Sequence, residues 1–128
     1  MRALLDTHAF LWWIGDDPQL SQRVREIISD GNNELHFSAA GCWEIAIKAG
    51  LGKIRIPAKP EIFIAEQLAL NGILVLPIQS SHALYVFNLP SLHRDPFDRI
   101  LVSQAQLETM PIITSDPLIA QYQVKTLW

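Results

Sequence analysis

The chain has 128 residues and a formal net charge of −3, and 49% of its residues are hydrophobic. A chain of this length can bury a sizeable core, since about two-thirds of the unfolded surface is buried at roughly 150 residues. We therefore expect a single domain over residues 1–128. The negative charge argues against a general polyanion binder, because phosphate contacts are made by clustered Lys and Arg. Any contact with nucleic acid is expected to be local.

The apolar segments are too short for a membrane span, and the cysteine content excludes sulfur-based frameworks. No run reaches the roughly 18 apolar residues that a bilayer requires, and the apolar start meets Asp6 too early for a signal peptide. Cys42 is the only cysteine, which excludes an internal disulfide and a cysteine zinc cluster. We expect a soluble, cytoplasmic protein in which any metal is bound by oxygen atoms.

Short strand-like runs alternate with helix-like runs, which is typical of an α/β protein with a parallel sheet covered by helices on both faces. The predicted strands lie near Arg2–Leu5, Glu34–Phe37, Ile73–Pro77, Pro111–Thr114 and Val124–Leu127. The predicted helices run from Asp17-Pro18 to about Gly31, Ser38 to Gly50, Glu61 to Asn71, about Ser80 to Asn88, and Pro96 to Glu108. The Asp-Pro pairs match a cap followed by Pro at the first helical position.

Two carboxylates stand where predicted strands end. Asp6 separates the first strand from the apolar run Phe10-Leu11-Trp12-Trp13, and Asp116 follows the strand PIIT. Ligands of an open parallel sheet bind beyond the carboxyl ends of its strands. Either residue could instead cap a following helix by accepting hydrogen bonds from its free amides. Asp17 shows that capping alone can explain an Asp-Pro pair, because it follows no strand.

Three further acids lie on predicted helices and are open to two interpretations. Asp95 and Asp98 resemble a capping box with Asp in place of Glu. Glu44 could form an exposed pair with Lys48 at the i, i+4 spacing, or it could be a buried carboxylate that faces other carboxylates and needs a cation. The histidines share no spacing typical of metal ligands and are interpreted as surface or packing residues. They are His8, His36, His82 and His93.

Four segments, in this order and spacing, resemble PIN-domain proteins of the VapC type, the ribonuclease toxins of bacterial toxin-antitoxin pairs. They are LLDTHAFLWW, SAAGCWEIAIKAGLGKI, HRDPFDRILVSQA and IITSD. The resemblance covers nearly the whole chain. It implies a three-layer α/β/α sandwich with a mostly parallel five-stranded sheet, and a Mg²⁺ or Mn²⁺ ion bound by a ring of acids.

The resemblance also assigns roles to individual residues. The catalytic acids that it implies are Asp6, Glu44, Asp98 and Asp116. The metal ligands among them are Asp6, Asp98 and Asp116. Asp95 and Thr114 would support these ligands from outside, and Thr114 matches the small hydroxyl residue that usually precedes the last acid by two positions. Gly41-Cys42 departs from the family pattern, in which Ser and Leu are often found.

The implied chemistry is hydrolysis of RNA phosphodiester bonds. A hard cation held by carboxylates lowers the pKa of a bound water, and a neighbouring carboxylate orients that water for attack. The sequence has no Ser, Cys or His constellation for a covalent mechanism and no Gly-rich phosphate loop. The basic residues expected to contact phosphate are Lys48, Lys53, Arg94 and Arg99.

The sequence is also compatible with other functions. They are an RNA-processing PIN nuclease outside any toxin system, a non-catalytic PIN-like binding domain, and a phospho-receiver module, which would need an acidic pair where the chain has Asp6 alone. The implied partners are single-stranded or loop RNA, a small antitoxin and a second copy of the chain. Large apolar side chains near the first helices are expected to form the partner surface. They are Trp12, Trp13, Trp43, Leu51, Phe63 and Leu68.

Overall fold

The computed structural model describes residues 1–128, and its strands form one five-stranded sheet in which all neighbours are parallel. The strands are β1 (Arg2–Leu5), β2 (Glu34–Ser38), β3 (Leu74–Leu76), β4 (Ile112–Ile113) and β5 (Thr126–Leu127). Their spatial order is β3-β2-β1-β4-β5, so β1 lies at the centre. The predicted α/β class and five-stranded parallel sheet are confirmed, although β3, β4 and β5 are shorter than predicted.

Seven helices connect the strands. They are α1 (Thr7–Ile14), α2 (Gln22–Ser29), α3 (Ala39–Gly50), α4 (Pro60–Leu70), α5 (Ser80–Tyr85), α6 (Pro96–Glu108) and α7 (Pro117–Ala120). A short 3-10 helix at Val86–Asn88 continues α5. None of the helices is long and apolar enough to span a bilayer.

The two faces of the sheet carry separate apolar cores, because successive side chains of a strand point to opposite faces. Leu5 and Phe37 lie in the core that contains residues of α1, α2, α3 and α4. Leu4 and Ile112 lie in the other core, with residues of α6 and α7. Helices therefore cover both faces, which confirms the predicted three-layer arrangement.

A glycine allows α3 to approach the sheet closely. The Phe37 ring of β2 stacks on the Phe10 ring of α1, with the ring centroids 4.2 Å apart. A Cβ atom at Gly41, near the start of α3, would overlap that Phe37 ring. The glycine at this position therefore makes room for an aromatic side chain beneath the helix that carries Glu44.

The prediction that Asp17-Pro18 opens a helix is wrong. The helix begins at Gln22, where the Ser21 hydroxyl accepts a hydrogen bond from the Val24 amide at 3.1 Å. Asp17 Oδ1 accepts instead from the Gln19 amide at 2.9 Å, which closes a turn between α1 and α2. Ser and Asp cap helices about equally well, so the sequence offers two competing start signals.

Candidate active site

Asp6 follows β1 directly and is only 6% exposed. Its amide donates to the Ile113 carbonyl of β4 at 3.1 Å, and its Oδ1 accepts from the Ala9 amide at 2.6 Å, so Asp6 also caps α1. Burial raises the pKa of Asp6, and the charge of Asp116 adds to the rise, while hydrogen bonds from Thr114 and Ala9 oppose it. Capping and a position at the strand end are thus compatible properties of one residue.

Thr114 and Asp116 continue β4 beyond the sheet. Thr114 is buried, and its Oγ1 accepts a hydrogen bond from the Asp116 amide at 3.0 Å. The Asp116 carboxylate accepts from the Leu118 amide at 2.9 Å and caps α7. Because β1 and β4 are neighbours, Asp6 and Asp116 leave the sheet side by side. Thr114 also influences the first acid, since its side chain lowers the pKa of the Asp6 carboxyl group.

Asp95 and Asp98 lie at the start of α6. Asp95 Oδ1 accepts from the amides of Phe97 and Asp98 at 2.9 and 3.2 Å, which confirms that Asp95 caps the helix. The Asp98 carboxylate contacts His93 instead, with 3.1 Å between Asp98 Oδ2 and His93 Nε2. Burial raises the pKa of Asp98 to about 6; the His93 hydrogen bond opposes this rise, and the charges of Asp95 and Asp116 add to it.

Glu44 is 6% exposed on α3, so its contact with Lys48 is not the solvated pair that the i, i+4 spacing alone suggests. Lys48 Nζ lies 2.5 Å from Glu44 Oε2, and the Thr7 hydroxyl donates to Glu44 Oε1 at 2.7 Å. The hydrogen bond to Glu44 raises the pKa of Lys48, and the charges of Asp95 and Asp98 contribute to the rise. Glu44 is therefore both buried and paired with Lys48.

The two acids that lie on helices meet at a narrow crevice. Glu44 and Asp98 both line this crevice of about 10 Å³, together with Thr7 and Ser38. A space of this size admits about one water molecule. The charge of Asp116 raises the pKa values of both Asp98 and Asp6, so these three acids repel one another near the carboxyl ends of the strands.

The donor chemistry of this cluster fits a hard divalent cation. Its donors are carboxylate and hydroxyl oxygens, the ligands that Mg²⁺ and Mn²⁺ prefer. Repulsion between the acids contributes to the raised pKa values of Asp6 and Asp98, and a cation would relieve that repulsion. As they are placed, no three His, Cys, Asp or Glu side chains stand close enough together to hold one ion. The acids would have to draw closer to share a metal.

The basic residues that were predicted to contact phosphate differ in their availability. Lys48 is held by Glu44, whereas Arg99 donates to the Pro90 carbonyl at 2.8 Å and to the Tyr122 hydroxyl at 2.9 Å. Lys53 and Arg94 are exposed and form no ion pair. These two side chains are the ones free to reach a ligand.

Three residues beside the acids were not predicted to belong to the site. They are Thr7, His93 and Tyr122. Thr7 and His93 make hydrogen bonds to Glu44 and Asp98, respectively. The sequence contains no signal for these contacts, because Thr7 is 37 residues from Glu44 and the histidines share no ligand spacing.

These features define a class of protein: a three-layer α/β fold whose acids gather at the carboxyl ends of parallel strands. The family model described as PIN domain matches residues 3–125, and the chain belongs to the PIN domain family. The resemblance found in the sequence is thereby confirmed. This family is one of nucleases that generally use divalent metals. A comparison with curated protein sequences finds no match.

Solved structures share the fold over nearly the whole chain. VapBC2 from Rickettsia felis, bound to a DNA fragment from its promoter, matches with a TM-score of 0.74 and 15% identity over 99% of this chain and 98% of that chain. VapBC-1 from nontypeable Haemophilus influenzae matches with a TM-score of 0.66 and 18% identity over 99% and 97%. FitAcB from Neisseria gonorrhoeae matches with a TM-score of 0.64 and 18% identity over 100% and 97%.

Proposed function

We propose that this chain is a Mg²⁺- or Mn²⁺-dependent endoribonuclease that acts as the toxin of a bacterial toxin-antitoxin pair. The observation that supports this most strongly is the cluster of mutually repelling acids at the carboxyl ends of the strands, in a chain of the PIN domain family. Such repulsion destabilises a fold that binds no ion, whereas a bound cation would compensate for it.

In this proposal each acid has a distinct role. The residues that hold the ion are Asp6, Asp98 and Asp116. The bound ion would polarise the scissile phosphate and lower the pKa of a water molecule. Glu44, which lines the crevice together with Asp98, would orient the attacking water and accept its proton. Thr114 favours the charged form of Asp6 by lowering its pKa, and Asp95 fixes the first turn of α6 by capping it.

The substrate in this proposal is single-stranded or loop RNA. Unstacked RNA offers an accessible backbone, whereas binding a duplex requires a broad basic face that a chain of net charge −3 lacks. Lys53 and Arg94 are the free basic residues for phosphate contact, and Lys48 and Arg99 become available only if their present partners release them. The proposal places the protein in the cytoplasm, where such RNA is found.

The proposed partners are a small antitoxin and a second copy of the chain. The similar structures are VapBC and FitAB complexes, and two of them contain DNA. The predicted apolar partner surface is only partly available: Trp43 and Leu51 are 60% and 65% exposed, but Leu68 is buried. Trp12, Trp13 and Phe63 are partly buried against the core. A basic antitoxin side chain among the acids would neutralise them and exclude the metal.

A groove between α3 and α4 offers one place for an apolar antitoxin segment. It has a volume of about 550 Å³ and is lined mostly by apolar residues, among them Ala46, Ile64 and Leu68. The exposed Trp43 belongs to the same helix, α3. Contact with a partner there would cover apolar surface next to the helix that carries Glu44.

The nuclease proposal is tested with purified protein and a labelled hairpin RNA. Cleavage in the loop that requires Mg²⁺ or Mn²⁺ and stops with EDTA is expected, and Asp116→Asn is expected to abolish it. Intact RNA under every metal condition would exclude the nuclease and leave a binding domain as the alternative.

The toxin proposal needs a separate experiment. The chain is co-expressed with the small protein encoded beside it, and the complex is sized and assayed for cleavage. Capture of that protein with loss of cleavage is expected. Full activity without any capture would instead indicate an RNA-processing nuclease.

A further inference from the structure

Hydrogen bonds connect Arg99 to Asp98 through two buried side chains. Arg99 Nη1 lies 2.9 Å from the Tyr122 hydroxyl, that hydroxyl lies 2.7 Å from His93 Nδ1, and His93 Nε2 lies 3.1 Å from Asp98 Oδ2. Tyr122 is 4% exposed, and the His93 side chain is nearly as buried. The network joins the loop before α6, α6 itself and the segment after α7.

The direction of these bonds follows from donor chemistry. Arg99 can only donate, so the Tyr122 oxygen accepts from it and is free to direct its own proton to His93 Nδ1. Nδ1 then accepts, and the imidazole proton lies on Nε2, facing the Asp98 carboxylate. The opposite tautomer would place a lone pair of Nε2 against an ionised carboxylate oxygen, which is repulsive.

We propose that His93 is a positioning residue, which holds the Asp98 carboxylate by an Nε2–H hydrogen bond whose direction is set by Arg99 and Tyr122. This inference rests on the proposed function, because only there is Asp98 a metal ligand. Asp98 Oδ1 makes no hydrogen bond, and Asp98 lines the crevice. Holding Oδ2 leaves Oδ1 as the oxygen available to a cation. Such supporting partners typically change metal affinity by about 10- to 100-fold.

A second buried His–carboxylate pair provides a matched control. His82 Nε2 lies 3.0 Å from Glu108 Oε1, and His82 Nδ1 accepts from the Gln79 amide at 3.0 Å. Glu108 is the last residue of α6, and Asp98 lies in the first turn of the same helix, about 15 Å away at 1.5 Å per residue. The two pairs share their chemistry, but only His93 contacts an acid of the candidate site.

The test measures Mn²⁺ affinity by calorimetry, alongside thermal melts without metal. In His93→Leu the dissociation constant is expected to rise by about 10- to 100-fold. His93→Gln keeps an N–H donor and should restore most of the affinity. His82→Leu should lower the melting temperature and leave Mn²⁺ affinity unchanged. If His93→Leu does not fold, Tyr122→Phe replaces it, with weaker Mn²⁺ binding expected.

A metal-free measurement tests the geometry independently. Nitrogen-15 NMR of the wild-type imidazoles should place the His93 proton on Nε2 alone. The inference would be overturned by a proton on Nδ1. It would also be overturned if His93→Leu, or Tyr122→Phe in its place, bound Mn²⁺ as tightly as the wild type does. Neither result would contradict the proposed function. A wild-type protein that binds no Mn²⁺ would overturn the proposed metal chemistry and this inference with it.

Discussion

The acids that follow strands and the acids that lie on helices are held in different ways. On the sheet side, Asp6 and Asp116 accept hydrogen bonds from amides of the helices that they cap, two or three residues further along the chain. On the helix side, Glu44 and Asp98 are held by side chains, one of them 37 residues away. The sheet side therefore depends on local backbone geometry, whereas the helix side depends on tertiary structure.

This difference affects how each side tolerates substitution. An amide side chain caps a helix about as well as a carboxylate does, so the sheet side can lose its charge and keep its shape. On the helix side the charge itself attracts the partner, as in the contact between Glu44 and Lys48. Removing a charge there should change both chemistry and structure.

The largest effect is expected for Asp6→Asn, which tests the sheet side. Cleavage should fall by more than about 100-fold, because loss of a direct ligand should exceed the 10- to 100-fold typical of supporting residues. Stability without metal should stay the same or rise, since Asn keeps the cap and repulsion is relieved. Cleavage assays and metal-free melts provide the measurement. Asp17→Asn, in a turn outside the site, is the control. If Asp6→Asn, but not Asp17→Asn, loses much stability without metal, Asp6 has a mainly structural role.

Asp98→Asn and Asp95→Asn compare two acids at one helix start. Asp98→Asn should lower cleavage by about 100-fold or more, because Asp98 is also a direct ligand and its loss should exceed the effect typical of supporting residues. Asp95→Asn should retain most activity because Asn still caps α6. Rates under saturating Mg²⁺ provide the comparison. The reverse order of the two variants would move the metal ligand to Asp95.

Lys48→Met probes the only cation that contacts the helix-side acids. Glu44 would lose a partner while remaining buried, so metal-free stability should fall by about 1 kcal/mol, given that Lys48 is partly exposed. Added Mg²⁺ should restore more stability to the variant than to the wild type, because the ion supplies the missing charge. Denaturant unfolding with and without Mg²⁺ measures this. Equal restoration in both proteins would show that Lys48 and the metal act at separate places.

The smallest effect concerns pH. The pKa of Asp98 is raised from 3.8 to about 6, mainly by burial, so between these values the folded protein binds more protons than the unfolded chain. Stability contributed by this group is therefore lost as pH rises from about 4 to 6. In Asp98→Asn this loss should be absent. The free energy of unfolding of the variant, minus that of the wild type, should therefore be about 1 kcal/mol larger at pH 7 than at pH 4, after allowance for solvent screening. Metal-free urea unfolding of both proteins at the two pH values tests this prediction. It would be contradicted if the free energies of unfolding of the wild type and the variant changed by the same amount between pH 4 and pH 7.

The sheet and the positions of its acids were predictable because both follow from local patterns. Apolar runs ended by Asp6 and Asp116 mark strand ends, and parallel topology brings such ends to one edge. The bounds of α6 were also predicted correctly, since Asp95-Pro96 is an unambiguous start. Asp17-Pro18 misled because Ser21, four residues after Asp17, caps a helix equally well.

The partners of the helix-side acids could not be predicted in the same way. Thr7 follows Asp6 on a helix whose existence the sequence shows only as an apolar run, and its contact with Glu44 requires α1 and α3 to pack together. His93 and Tyr122 are common residue types without distinctive spacing. Their contacts depend on how loops close over α6, which is a property of the folded chain.

Gly41 links the volume of the core to the spacing of the acids. Because a Cβ atom there would overlap the Phe37 ring, a larger residue must displace either that ring or the helix. Glu44 lies one turn further along the same helix and would move with it. Over evolution, a lineage that acquires serine at position 41 should therefore also acquire a smaller residue at position 37. The two positions are expected to covary among relatives, although neither one carries any chemistry of the site.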